Sequence, residues 1–510
     1  MKVRTALLYL TFFLIFASPP SAGAETFFVR PAGGDYGLEN GTSYANAWDG
    51  FTKISWGSGS EVGKVDAGDT LYICGTHRES LNVGSSGASG KVITVRGDFR
   101  SDPGILDGAL EQCIRFDRKN HLTFYGLTVK NSRTGLASYH GCNNITVDNC
   151  KFSDHFLKGL HLYSTDASYY VENISIRNCS FKNIGRWGNT GANSLTLGKY
   201  ARSSIIEDCY FSGNGLDKGV DGVLLANGSG GGSNHVIRRC TFVGHEENAI
   251  DLKHVVQSAA NEGRTKIYDN DLSGSSQLEI VMHLGTQGID IFRNKFHDGN
   301  LAIGVVRHDT SRNDNGDLFI AYNLFDGFAS GILMDAYDEG IGSNAFLNNT
   351  CYDSGAANNS NYSIQIATNN WTIKNNIFHG VSKGKSPFCS IRFLATVDMG
   401  TVALDHNSHF LYEGHLAYRW PDDTYRTVGQ AEKSGIEADP QFSDAPGGDF
   451  TLKRSSPCLG AGVTITNLPT TSDAKGEPIS PLSAPNIGAY GMALASQLSA
   501  PKGLILHPPN

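Results

Sequence analysis

After its first 24 residues the chain has no run of eighteen apolar residues, so nothing there is long enough to cross a bilayer as a helix. It also lacks a basic surplus. Lys and Arg number 42 against 50 Asp and Glu, a formal net charge of −8. A phosphate backbone calls for a basic surface, so nucleic acid is not an expected partner. An acidic ligand is still admissible, because a local cation or a bound metal ion can neutralise it. The low-apolar, high-charge signature of disorder is missing as well: 40% of residues are apolar and 18% charged. Proline is modest at 16 residues, whereas glycine reaches 60. Asparagine recurs at regular places, which makes this a turn-rich β composition.

The first 24 residues have the pattern of an export signal. Lys2 and Arg4 precede an apolar stretch from Leu7 to Ala17, and Ala22, Gly23 and Ala24 form a small-residue cleavage site before Glu25. The expectation is a secreted protein, extracellular or, behind an outer membrane, periplasmic.

One phrase recurs from residue 145 onward. It reads ITVDNCKF (145–152), ISIRNCSF (174–181), SIIEDCYF (204–211), HVIRRCTF (235–242), TKIYDNDL (265–272), IDIFRNKF (289–296), LFIAYNLF (318–325) and WTIKNNIF (371–378). A looser copy, SNAFLNNTCY, occupies 343–352. The spacing fits one three-strand coil per repeat, and the fold class expected is all-β: a single-stranded right-handed parallel β-helix. Alternating apolar residues turn one face of each short strand inward, and Asn, Gly or Asp turns the chain. One inward column reads Cys150, Cys179, Cys209, Cys240, Asn270, Asn294, Asn323, Thr350 and Asn376. Coils stack about 4.8 Å apart, so Asn residues in such a column can bond one another along the axis. Cys fills the same slot as a small hydrophobe, and a reduced cysteine stack is expected there. Any disulfide is expected among Cys74, Cys113, Cys142, Cys351, Cys389 and Cys458. Residues 25–75 read as a cap with the first strands, 76–436 as the solenoid, and 437–510 as a closing coil and tail.

A second strand follows each phrase, with Leu160, Leu195, Val223, Ile250, Leu278, Ile303, Ile332, Ile364 and Ile391 expected inward. The outward residues then form a first column containing His161, Thr196, Leu224, Asp251 and Glu279, with Leu333 further along. A second column contains Tyr163, Lys253 and Asp335, and a third Tyr200, His283, His308 and Tyr337. A flat face of this kind suits an extended chain ligand. Aromatic rings can stack on sugars and ionic groups can read carboxylates, so His161, Tyr163, Tyr200, His283, His308, Asp335 and Tyr337 are the candidate substrate-binding residues. Asp251 and Glu279 are expected on adjacent coils, where two carboxylates share a proton or bind a cation. Asp221, Glu247, Asn248 and Asp251 together offer the oxygen donors of a Ca²⁺ cage. Lys253 is the candidate base, Arg307 a candidate clamp for a substrate carboxylate, and Glu279 a further catalytic candidate.

On these residues the chain resembles the parallel β-helix polysaccharide lyases, and most nearly the family 9 pectate lyases. That family holds calcium with aspartates in motifs like DGF and, one coil later, SDDGWDL. Here VDGVLL (220–225) and EENAIDL (246–252) stand in those places. Asp221 falls on the first aspartate, Glu247 and Asn248 on the acidic pair, and Asp251 on the last. The family's catalytic lysine would fall at the position assigned to Glu279, a departure from the pattern, and Lys253 is the substitute base. The opening FFVRPAGGD and the ending IGAYG also resemble those of bacterial β-helix carbohydrate enzymes.

The resemblance implies β-elimination on an acidic, uronate-containing, pectate-like polysaccharide, assisted by Ca²⁺; a monomer is the expected state. A glycoside hydrolase using Asp251, Glu279 and Asp335 is the alternative. The polygalacturonase signatures (NTD, a DD pair, GHG and RIK in order) are absent. A uronate C5-epimerase and a non-catalytic glycan-binding protein complete the set.

Overall fold

A computed structural model describes residues 23–491 except 59–60, 109–110, 186–190, 214–218, 228–231, 257–261, 307–314, 337–341, 355–361, 381–387, 413 and 481–482. Among the described residues, three long sheets of 16, 14 and 14 strands run the length of the molecule. Strands inside each sheet pair in parallel with the strands one coil before and one coil after, as Cys142–Asp148 does with Asn120–Tyr125 and Val171–Arg177. Within a coil the chain passes through the first sheet (Cys142–Asp148), the short second sheet (Lys151–Ser153) and the third (Lys158–Leu162). This is the expected right-handed parallel β-helix. No helix among the described residues is long and apolar enough to cross a membrane.

Period-two alternation places the core. In Val171–Arg177, Ile174 and Ile176 are buried while Ser175 and Arg177 are not. The bend from first to second sheet falls on a residue with left-handed backbone, such as Asn149, Asn178 and Asp208 with φ of 54°. Asn and Asp tolerate this region because their short side chains bond locally, which accounts for the recurring Asn or Asp at that step. Inside, like residues stack. Phe152, Phe181, Phe211 and Phe242 lie ring on ring with centroids 4.8–4.9 Å apart.

The inward Asn column is a continuous hydrogen-bonded ladder. Nδ2 of Asn270, Asn294, Asn323, Asn349 and Asn376 each donates to Oδ1 of the next, at 3.0, 3.1, 3.1, 3.1 and 2.9 Å, ending on Asn407. Each also donates to a backbone carbonyl one coil back, as Asn323 does to Ile291 at 2.9 Å. Glu432 closes the ladder, accepting from Asn407 Nδ2 at 3.1 Å. One register differs from expectation: Asn349, not Thr350, holds the ladder position in SNAFLNNTCY. Four cysteines continue the column. All ten cysteines are free and buried, those of the stack as expected. The segment after the last coil folds back along the outer edge, where Asn375 Nδ2 donates to Val463 O at 2.8 Å and Asn348 Nδ2 to Asn486 O at 3.1 Å.

Candidate functional site

The third sheet carries the polar face. Its strands share a three-residue entry of polar, small and apolar residues: Lys158-Gly159-Leu160, Asn193-Ser194-Leu195, Asp221-Gly222-Val223 and Asn248-Ala249-Ile250. Backbone pairing skips the small residue, which faces the inner corner. A Cβ added at Gly222 would lie 3.0 Å from the buried His245 ring, so the corner tolerates little bulk there. The skip returns the preceding polar residue to the outer side, beside the outward column. Lys158 Nζ accordingly donates to Thr196 Oγ1 at 3.2 Å and to Asn193 Oδ1. Asn193 and Asn248 each donate through Nδ2 to Asp221, at 3.0 and 2.9 Å.

Register sets which outward residues adjoin. Leu224, Asp251 and Val281 form one column, and Ala226, Lys253 and His283 the next. Asp251 therefore has Val281 beside it, not Glu279, which corrects the expected carboxylate pair. Asp251 is instead shared between two nitrogens. Lys253 Nζ lies 2.8 Å from Oδ2, and His283 Nε2 lies 2.7 Å from Oδ1. Burial works to depress the Lys253 pKa, but the charge and hydrogen bond of Asp251, with Asp221 and Glu247, outweigh it and hold the ammonium above the ordinary lysine value. Its side chain is 30% exposed. The Asp221 carboxyl is raised well above the usual range by burial, reinforced by Asp251 and Glu247. Burial pushes Lys158 down to about 8, and Lys253 acts in the same direction while Asp221 opposes. His161 is pushed down to about 3, mainly by burial.

Glu279 occupies the small-residue slot of its strand and is wholly buried. Room exists because Gly299 on the following coil has no side chain: a Cβ there would meet Glu279 Oε1 at 2.6 Å. Glu279 accepts from the Ser275 backbone N at 2.8 Å and from its hydroxyl at 2.6 Å, and burial raises its carboxyl to about 7. It faces the interior, not the outward face on which it was expected. A raised carboxyl favours the fold fully below its unfolded value and loses that contribution as pH rises through about 7. Charging it in place costs about 3 kcal/mol. Glu279→Gln is thus expected to stabilise the protein at about pH 9 and to leave it nearly unchanged at about pH 4, read by denaturant melts at both values.

Asp335 is likewise corrected. Leu333 takes the inward register and Met334 faces out, so Asp335 turns inward and accepts from the Thr368 hydroxyl at 2.6 Å and the Thr368 N at 3.0 Å. Leu278, expected inward, takes the outer polar slot. Tyr200 sits past its strand in a turn with φ of 64°, its ring edge-on to Tyr170, away from Lys253. His161 and Tyr163 do face outward, beside Tyr139. Arg307, His308 and Tyr337 lie outside the described residues. Lys158 and Asn193 were missed, although the polar-small-apolar entry that marks them is visible in the sequence.

Among the described residues, no three His, Cys, Asp or Glu side chains converge as a metal cluster. Asp251 is engaged by Lys253 and His283. The donor set suited to a hard cation is narrower: the Asp221 carboxylate, Glu247 and Asn248 Oδ1. That amide oxygen is buried without a hydrogen-bond partner, while its Nδ2 points at Asp221. An orphaned buried oxygen beside a carboxylate crowded by two others fits a cation such as Ca²⁺.

Three parallel sheets, an Asn ladder and one outward polar face define a right-handed parallel β-helix. A family model described as "Right handed beta helix region" matches residues 111–260. Solved structures similar to the chain include that of XylC with xylose (11% identity, 92% of this chain and 98% of that one, TM-score 0.52). Another is the PL6 family alginate lyase AlyGC (14% identity, 84% of this chain and 55% of that one, TM-score 0.52). The pectate lyase Pel9A is more distant in shape (13% identity, 92% and 97%, TM-score 0.39). Polysaccharide lyases are thus among its structural neighbours, and at these identities the likeness establishes the fold alone. No curated protein matches the chain significantly.

Proposed function

We propose that the protein is a secreted lyase that cleaves a uronate-containing polysaccharide by β-elimination. The observation that carries this is Lys253: a partly exposed amine held by Asp251, with His283 on the same carboxylate and the Asp221 carboxyl and unpartnered Asn248 Oδ1 nearby. A substrate carboxylate faces Asp221, Glu247 and Asn248, which would hold Ca²⁺. The ion, when bound, supplies the positive charge that offsets the substrate carboxylate and the charge developing on it. Lys253 in its neutral form takes the C5 proton. The C4–C5 double bond forms as the C4–O bond breaks, and solvent water protonates the departing oxygen. Asp251 positions both nitrogens. The hydrolytic alternative loses support because Glu279 and Asp335 both face inward.

The surrounding carboxylates hold Lys253 protonated, so the reactive amine is scarce near neutrality. Turnover is expected to rise as pH increases from about 7 to about 9, and to fall on chelation. The test incubates the full chain with a panel of uronate polymers, with and without chelator, following the ultraviolet absorbance of unsaturated ends and total reducing ends. Unsaturated product supports the reading. Reducing ends without unsaturation, or neither signal on any polymer, overturns it.

A further inference from the structure

The outward face is asymmetric about Lys253. Toward the C-terminal coils it turns apolar: Val281, Leu278 and Leu301 follow, and Leu278 Cδ2 lies 2.1 Å from where a Cβ on Gly304 would be. Toward the N-terminal coils, the column containing Lys253 passes through Ala226 and Gly198 to Tyr163. In this column only a glycine and an alanine thus separate an aromatic ring from an ammonium. Three strand spacings of about 4.8 Å give the recess a length of about 14 Å.

The far end is built from several side chains. Tyr163 lies 5.1 Å from Tyr139 and 4.8 Å from His161, ring centre to ring centre. Tyr139 is fixed by Gln112 Nε2, 3.2 Å from its hydroxyl, and by its own backbone N, which donates to Asp117 at 2.7 Å. The Arg115 guanidinium lies 5.6 Å from the Tyr139 ring and is held by Asp117 at 2.6 Å. The stack stops at Tyr163 because the next position is glycine. A Cβ on Gly198 would lie 2.7 Å from Tyr163 Cβ, so the glycine places no side chain against the ring from the Lys253 side.

We propose that this recess is a binding subsite for an anionic oligosaccharide lying along the helix axis, with Tyr163, backed by Tyr139 and His161, as the aromatic stop at its distal end. The spacing of the coils is close to the length of one pyranose in a chain, so the recess takes about three sugar units beyond Lys253. The Lys253 ammonium selects for carboxylate-bearing sugars, and the amphipathic rings provide contact area at low entropic cost. The inference rests on the reading of Lys253 as the reacting group.

The test combines binding and turnover with uronate oligosaccharides of about two to six units. Binding is measured by calorimetry on Lys253→Met, alone and with Tyr163→Ala, Tyr163→Phe or Ala226→Phe added; turnover is measured with the last three in the otherwise native protein. Tyr163→Ala is expected to weaken the longest oligosaccharide about tenfold or more and to spare the disaccharide. Tyr163→Phe keeps the ring and keeps the affinity, while Ala226→Phe fills the recess and loses it. Unchanged melting temperatures confirm that the outward variants fold. Undiminished binding and turnover of long chains by Tyr163→Ala and Ala226→Phe overturns the subsite and leaves the lyase standing. Ring-dependent binding of uronates without cleavage does the reverse. Neither binding nor cleavage of any uronate overturns both.

Discussion

Lys253→Met is expected to lower turnover of a uronate polymer at least about a hundredfold, the loss typical of a removed general base. Methionine keeps the length of the stem and removes the amine. The partner left behind is Asp251, 2% exposed, which loses its contact with Lys253 and keeps His283. Some destabilisation therefore accompanies the catalytic loss, and the two are separated by a denaturant melt. Lys253→Arg keeps the charge and the ion pair but offers no group that can deprotonate near neutrality. It should fold as the parent does and remain inactive. An arginine variant with full activity would exclude Lys253 as the base and leave it as a cationic contact.

Asn323→Leu is expected to be the most damaging single substitution in the core, at about 3–5 kcal/mol. Asn323 uses its amide fully. Oδ1 accepts from Asn294 N and Nδ2 at 3.0 and 3.1 Å, and Nδ2 donates to Ile291 O and Asn349 Oδ1 at 2.9 and 3.1 Å. Leucine leaves the Asn294 backbone N–H without that acceptor and the Ile291 carbonyl without that donor, both inside the solenoid, at about 1–3 kcal/mol each. A contrasting substitution lies in the same column. Cys179 makes only weak contacts to Val147 O at 3.5 Å and Arg177 O at 3.1 Å, so Cys179→Ala should cost about 1–2 kcal/mol. Coils in a solenoid can open separately, so hydrogen exchange along the chain is the proper readout. Equal protection losses for the two variants would show that the Asn ladder adds nothing beyond its bulk.

The candidate site was legible only in part, for reasons that differ by residue. Asp251 and Lys253 lie in a strand whose apolar alternation is unambiguous, so their placement on the outer face could be read directly, whereas Asp221 and Asn248 reach that face only through the skipped residue. In LEIVMHL, apolar residues fill 278 and 280–282. A slip of two residues preserves the alternation, and parity cannot distinguish the two registers. That slip moved Glu279 from the surface to the core and brought His283, not Glu279, to Asp251. In GILMDAY three apolar residues stand together, so no period says which of them faces in, and Asp335 was turned the wrong way. The adjacent Asn348 and Asn349 left the ladder position of that coil equally open. Lys158 escaped notice because its strand bends where pairing skips Gly159, a corner that alternation does not report.

The polar face is where sequence and tertiary structure divide most clearly. The sequence by itself determined the coil, its inward columns, the stacked rings and the strand on which Lys253 stands, since each follows from a short period repeated along the chain. Tertiary structure alone decided which residues on neighbouring coils touch. Contact across a parallel sheet depends on the register between strands some thirty residues apart, and on which coil leaves a glycine vacancy for a neighbour to fill. Those two decisions placed His283 on Asp251, buried Glu279 behind Gly299, and left Tyr163 without a stacking side chain at Gly198.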